Sequence, residues 1–370
     1  MKIRILPRLL AASLIALASA VSASATIWIK GADCSSLRKS EDKGGKYYYS
    51  SGAQADALKI LRDAGCNTVR IRVWIGSPDG YHGKTQLLQI AKRAKALGQE
   101  ILVDFHYSYT WTDPGKQNKP TAWTSYTLSQ LNTAVYNHTY EICKALVDQG
   151  TPAAYVQIGN EINDGMLWST GRISTNGNSF ANLAQLLRSG SNGAWAAYAN
   201  TKIVLHIAKG GDWELIKWWF DGVKAQGIWW DYTAVSYYPY WHGSLSGLQS
   251  ALNNAASRYG KPVLVAECAY PWTLAAGDSM ANNIGLSSQL VSGYPATVTG
   301  QTSMINAIKS VLNAVPNNRG AGFLYWDATW TPVTGNGWDN TNSSSGNNWE
   351  NQALFDFSGK ALASQVSIFK

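Results

Sequence analysis

Val263-Leu264-Val265-Ala266-Glu267 and, earlier in the chain, Gln157-Ile158-Gly159-Asn160-Glu161 follow one pattern: a short apolar, strand-like run stops at a carboxylate. An unpaired charge at the end of a buried strand is expensive. Two such carboxylates at equivalent ends of two strands therefore point to a pair that works on one substrate. The pattern extends along the chain. Apolar runs at 27–33, 68–74, 101–106, 153–159, 203–207, 233–237, 263–267 and 322–326 read as strands. Most of them stop at polar or aromatic residues: Asp33, Asp104 with His106, Asn160-Glu161, His206, Tyr237-Tyr238, Glu267 and Trp326-Asp327.

Helix-like runs lie between them at 53–64, 85–97, 128–147, 180–198, 213–225, 245–258 and 304–315. Gly65, Gly98 and Gly150 follow the first three, as left-handed caps would. Eight strands alternating with helices predict an α/β fold, a single (β/α)8 TIM barrel over residues 26–370. The alternative, a doubly wound open sheet, lacks a Gly-rich dinucleotide loop after its first strand. Residues 331–351, rich in Gly, Asn, Thr and Ser, read as a long loop after the eighth strand. Barrel sites form at the C-terminal ends of the strands, where the polar residues gather.

The residue types at those ends fit two-carboxylate glycoside hydrolysis. By period-two alternation Glu267 shares a face with Val263 and Val265, and is expected to face the barrel axis if they do. To stay ionised it needs a cation, and Arg70 and Arg72 alternate on one face of the second strand. Glu161 must hold a proton, which burial and a negative Glu267 would favour. Asn160 beside it can hydrogen-bond a sugar hydroxyl. His106 and His206 could orient hydroxyls or tune Glu161. His82, His138 and His242 read as loop or helix-surface residues. No G-x-S-x-G, H-E-x-x-H or Walker loop occurs, so serine, zinc and nucleotide chemistry have no support.

Composition agrees. Charged residues are 15% and hydrophobic residues 45%, as in a globular chain. Seventeen Trp and nineteen Tyr are enough to line a sugar cleft, where flat rings stack on pyranose faces. Lys2, Arg4 and Arg8, then the apolar stretch 9–20, then Ala23-Ser24-Ala25 read as a secretory signal peptide over 1–25, and a secreted chain is expected. Removing those three basic residues lowers the net charge from +8 to +5. The remaining charges are scattered: mild attraction to acidic polysaccharide, no nucleic-acid stripe, no membrane span. A monomer is expected. Cys34, Cys66, Cys143 and Cys268 form no C-x-x-C, and their pairing stays open.

Taken together, several motifs resemble glycoside hydrolase family 53, the secreted endo-β-1,4-galactanases. They are Gly31-Ala32-Asp33, Val69-Arg70-Ile71-Arg72-Val73-Trp74, Asp104-Phe105-His106-Tyr107-Ser108, Asp113-Pro114-Gly115-Lys116-Gln117, the Asn160-Glu161 segment, Ser236-Tyr237-Tyr238-Pro239-Tyr240-Trp241, Val265-Ala266-Glu267-Cys268-Ala269-Tyr270-Pro271-Trp272 and Trp349-Glu350-Asn351-Gln352-Ala353-Leu354-Phe355-Asp356. The resemblance implies Glu161 as acid/base and Glu267 as nucleophile. It implies Arg70 and Tyr238 as supports and Trp326 as sugar platform, with Trp74, Trp111 and Trp349 as further cleft candidates.

The chain departs from that family at Tyr109, at Ala208 and at Asp327, positions expected near the cleft and so relevant to pH optimum and specificity. Bacterial members often carry calcium after strand seven. Here 276–282 offers one carboxylate and one amide, so no tightly held calcium and no cofactor is expected. The substrate expected is β-1,4-galactan. The alternatives are mannan or glucan hydrolysis by the same machinery, or a catalytically weak galactan-binding protein.

Overall fold

The computed structural model describes residues 26–370, and the expected signal peptide lies outside the described residues. Eight parallel strands close into a barrel, each paired with its chain neighbours: β1 (Ile29–Asp33), β2 (Thr68–Val73), β3 (Glu100–Phe105), β4 (Tyr155–Ile158), β5 (Lys202–Ile207), β6 (Tyr232–Ser236), β7 (Val263–Cys268) and β8 (Gly320–Tyr325). Helices α1 (Ala57–Asp63), α2 (Lys84–Ala96), α3 (Leu128–Asp148), α4 (Ala181–Ala197), α5 (Trp213–Ala225), α6 (Leu245–Tyr259), α7 (Val298–Asn313) and α8 (Ser364–Phe369) surround it. This is the expected TIM barrel.

Local chemistry sets the boundaries. The helix expected from 53 starts at Ala57, because the Asp56 carboxylate caps it by accepting from Leu58 N. The helix expected from 304 starts earlier, at Val298, where the Thr297 hydroxyl accepts from Gly300 N. Gly98 and Gly150 take positive φ of 73° and 81°, as helix-ending glycines should. Three elements had no sequence signal: a short helix Leu37–Asp42, an antiparallel pair Gly165–Met166 and Gly171–Arg172 after β4, and α8. Phe369 of α8 stacks on Phe323, with centroids 5.9 Å apart, and covers the outside of β8.

The barrel interior has two layers. Ile29, Leu102, Val204, Ala234, Leu264, Ala266, Ala321 and Leu324 form an apolar layer toward the strand N-termini. Above it sit Asp33, Arg70, Arg72, Asp104, Gln157, His206 and Ser236, each at most 2% exposed. Strand register sets these side chains side by side: Asp33 lies opposite Arg70, Arg72 opposite Asp104, and Asp104 opposite Gln157. Removing one partner of such a buried set costs about 3–5 kcal/mol.

Alternation does not aim Glu267. Val263 and Val265 pack outward with the helix-facing core, so strict period two would send Glu267 outward too. The register against β6 runs Val235 opposite Val265, then Ser236 opposite Glu267, leaving Ala266 unmatched. This bulge turns Glu267 into the barrel.

The four cysteines are buried free thiols. Among the described residues no helix is long and apolar enough to cross a membrane.

Candidate active site

A cleft of ≈ 190 Å³ opens at the C-terminal ends of the strands. Glu161 and Glu267 line it together with His106, Asn160, Trp111, Tyr238, Trp326 and Trp349, all sequence candidates. Trp241, Trp338, Thr112, Asp113 and Asn283 also line it.

Glu267 is held by two groups. Its Oε1 lies 2.9 Å from Arg70 Nη2, and its Oε2 accepts from the Tyr238 hydroxyl at 2.9 Å. Burial pushes this carboxyl up, while Arg70 and the Tyr238 hydroxyl oppose the shift. Arg70 itself is fully enclosed. It reaches Asp33 at 3.0 Å, Asp104 at 2.9 Å and Asn160 Oδ1 at 2.8 Å.

Glu161 has no such cation. Burial first, and then the charge of Glu267, push its carboxyl well above the usual range, with the Ser236 hydroxyl opposing. Within the pair these causes favour a proton on Glu161 and a charge on Glu267. Glu161 also sits at φ 47°, a left-handed conformation unusual for a residue with a side chain. Its N–H donates to His206 Nδ1 at 3.4 Å, and its carbonyl accepts from Gln117 Nε2 at 3.4 Å.

The two histidines differ. His106 accepts at Nδ1 from Trp74 Nε1 (3.1 Å) and Thr112 N (3.3 Å), so its proton sits on Nε2, 3.0 Å from Asp104. His106 reaches the cleft; Asp104 lies beneath it. Burial opposes ionisation of Asp104, but Arg70 and His106 hold it below the usual carboxylate range. His206 lies out of the cleft lining. Its Nδ1 accepts from Gln157 Nε2 (3.1 Å), which directs Nε2–H to the Ser236 hydroxyl at 2.9 Å. Burial, and then Arg70, lower its pKa well below that of a free imidazole. It faces the backbone of Glu161 and the Ser236 hydroxyl, not a substrate hydroxyl. Asn160 Nδ2 gives one N–H to Thr112 O at 2.9 Å, which leaves its second for the cleft.

Four expectations change. Arg72 does not support Glu267: it pairs with Asp327 at 3.1 Å and Ser36 at 2.8 Å, and its guanidinium lies 4.2 Å from the Trp111 ring centroid. Trp74 lies under the cleft, edge-on to Trp111 at 5.1 Å. Tyr109, Ala208 and Asp327 do not line the cleft. Asp327 is fully buried, pushed up to about 6 by burial and by Asp33, with Arg72 opposing. His82 is in a loop, as expected, but buried there against Trp74 at 4.4 Å, and His138 of α3 is half-buried, edge-on to Phe105 at 5.6 Å.

Aromatic rings make the cleft walls. Trp326 meets Trp349 edge-on at 4.7 Å, and Trp338 stacks on Trp111 at 4.6 Å. Trp338 was not legible, because it lies in the Gly/Asn-rich loop 331–351, where no periodicity fixes a direction. Trp241 stands 52% exposed at the mouth.

The loop after β7 and the loop after β8 are tied beside this cleft. The Glu350 carboxylate, itself buried, accepts from Gly277 N and from Asp278 N. Asp278 in turn accepts from Met280 N and Asn347 N, both at 2.7 Å. Each Asp278 oxygen thus accepts a backbone N–H within these loops, and among the described residues no cluster of three or more His, Cys, Asp or Glu is placed to hold a metal ion. Burial raises Glu350 from 4.5 to about 7. A raised carboxyl binds its proton more tightly folded than unfolded, so stability falls as pH rises from about 4.5 through about 7. The Tm of Glu350→Gln should lack that decline; an equal decline in both proteins would assign it elsewhere.

Tyr238→Phe deletes the hydroxyl that favours ionised Glu267. Losing a hydrogen bond to a charged group is worth about 1.5–3 kcal/mol, so kcat should fall roughly 10- to 100-fold. The acid limb of the pH–rate profile should move up, because Glu267 then ionises at higher pH. An unmoved acid limb would show that this bond does not set the ionisation.

The sequence matches the model of glycosyl hydrolase family 53 over residues 29–369. A family 53 catalytic domain from Ignisphaera aggregans superposes with a TM-score of 0.87 at 38% identity, over 92% of this chain and 95% of that one. An endo-β-1,4-galactanase of Bacillus subtilis is 32% identical over 91% of this chain and 84% of its own. An arabinogalactan endo-β-1,4-galactanase of Thermothelomyces thermophilus is 34% identical over 92% of this chain and 98% of its own.

Proposed function

Because the chain belongs to glycosyl hydrolase family 53, we propose that it is a secreted endo-β-1,4-galactanase that cleaves the galactan side chains of pectin with net retention. One observation carries the chemistry: of two carboxyls in one tryptophan-walled cleft, Glu267 is tied to Arg70 and the Tyr238 hydroxyl, while Glu161 has burial and a negative neighbour to keep its proton.

In the first step Glu267 attacks C1 as Glu161 gives its proton to the leaving glycosidic oxygen. The product is a galactosyl-enzyme ester. In the second step Glu161, now ionised, takes a proton from water, which attacks C1 and releases Glu267. The free N–H of Asn160 is placed for the sugar 2-hydroxyl, a contact that tightens as the oxocarbenium-like transition state forms. Trp326 provides the stacking surface. Arg70 acts through Glu267, and Asp33 and Asp104 act through Arg70. The signal-peptide-like sequence at 1–25 supports secretion.

Reducing-sugar release from linear β-1,4-galactan, β-mannan and carboxymethyl-cellulose tests substrate class, and the anomeric configuration of the first product tests retention. Release from galactan alone, with β product first, is expected. Release from mannan or glucan would move the specificity within the same machinery. No release from any would favour a binding protein.

A further inference from the structure

The geometry points to a second carbohydrate-binding site, for a β-1,4-galactan chain, at the end of the barrel opposite the cleft. It rests on galactan being the substrate. A pocket of ≈ 220 Å³, as large as the catalytic cleft, is lined by Arg188, Ser191, Asn192 and Trp195 of α4 and by Gly227, Ile228 and Trp229. The last three lie in the turn between α5 and β6. That turn, and the C-terminal half of α4, lead into the N-terminal ends of β6 and β5. The pocket therefore cannot hold the same sugars as the catalytic cleft.

Trp229 is 60% exposed, an indole left in water that no helix covers. The Lys261 ammonium lies 3.4 Å from its ring centroid, a cation–π contact that holds the indole in place. Lys261 is not among the pocket residues. Trp195 is half-buried and spends its N–H on Thr201 O at 3.3 Å, so it offers the pocket apolar surface.

Polar groups surround these two rings. The exposed Arg188 side chain donates from Nη2 to Gln226 O at 3.0 Å. Asn192 is exposed beside it. The Ser191 hydroxyl is buried and has no partner in the protein, which leaves an unsatisfied polar group in the pocket wall. An aromatic platform with neutral and cationic hydrogen-bond donors at its rim suits a pyranose, which has an apolar C–H face and hydroxyls at its edge. The Trp229 ring would stack on a galactosyl residue, and Asn192 and Arg188 would bond its hydroxyls. The site would anchor the enzyme on long or insoluble galactan while the cleft cuts another segment, a gain by avidity.

The test uses the full mature chain with Trp229→Ala and, separately, Asn192→Ala, both exposed positions far from the cleft. The readouts are retention on insoluble galactan, release from it, and turnover of soluble galactotetraose. Trp229→Ala should weaken retention about tenfold, a small part of what a second site adds by avidity, and slow release from the solid, with galactotetraose turnover unchanged. Asn192→Ala should do the same to a smaller degree. Unchanged retention in both variants, with parent activity on galactan intact, overturns the second site and leaves the function standing. Binding of polygalacturonate at this site in place of galactan overturns the ligand assigned. A parent that releases nothing from galactan overturns the function and this inference with it.

Discussion

Glu267→Ala should lower kcat on β-1,4-galactan by at least about 10⁴-fold, the scale seen when a covalent nucleophile is removed. Its nearest carboxylates cannot replace it: Asp33 and Asp104 are fully buried on Arg70 beneath the cleft, and Glu161 must give a proton in the same step. The fold should survive, because Arg70 keeps those two partners after Glu267 is gone. Its Tm therefore separates lost chemistry from lost structure. The truncated side chain leaves room beside C1 for a small anion. Added azide should restore turnover and give a galactosyl azide inverted at C1, since azide enters from the face the carboxylate used. A variant that keeps its activity, or an azide product of unchanged configuration, would place the nucleophile elsewhere.

Glu161→Ala should lose about 10²- to 10⁴-fold on galactan, the usual worth of general acid catalysis. The loss should depend on the leaving group. Departure of a sugar alkoxide needs the proton that burial and Glu267 keep on Glu161. An activated aryl β-galactoside leaves as a stabilised phenolate and needs none. On that substrate the first step should run near its normal rate. The second step, which needs Glu161 as base, should be slow, and a burst of phenol should precede a low steady state. Equal losses on both substrates, with no burst, would take the acid role from Glu161. In the parent enzyme the alkaline limb of the pH profile should lie well above the usual carboxylate range, because activity is lost only as Glu161 gives up its proton.

Much of this was legible because it is local. The apolar runs of the barrel strands, the glycines that end several helices and the alternation of Arg70 with Arg72 are all set within a few residues. So is the arrival of carboxylates at the ends of the fourth and seventh strands. The less legible parts cross the barrel. Arg70 and Arg72 have equal patterns, yet Asp33, Asp104 and Glu267 surround one, while Asp327, 255 residues away in the chain, takes the other. Trp338 enters the cleft from a loop without periodicity.

The sequence by itself determined the barrel, the two carboxyls and the residue types around them, because hydrophobic period, capping and turn chemistry act over short stretches. Only the tertiary structure decided which way Glu267 faces and which carboxyl keeps the proton. The first depends on a bulge at Ala266 that breaks the period-two rule, and the second on where one guanidinium, one phenol and the burial of Glu161 fall once the barrel closes. Register shifts and electrostatic fields are sums over distant parts of the chain, and they take values only when those parts meet.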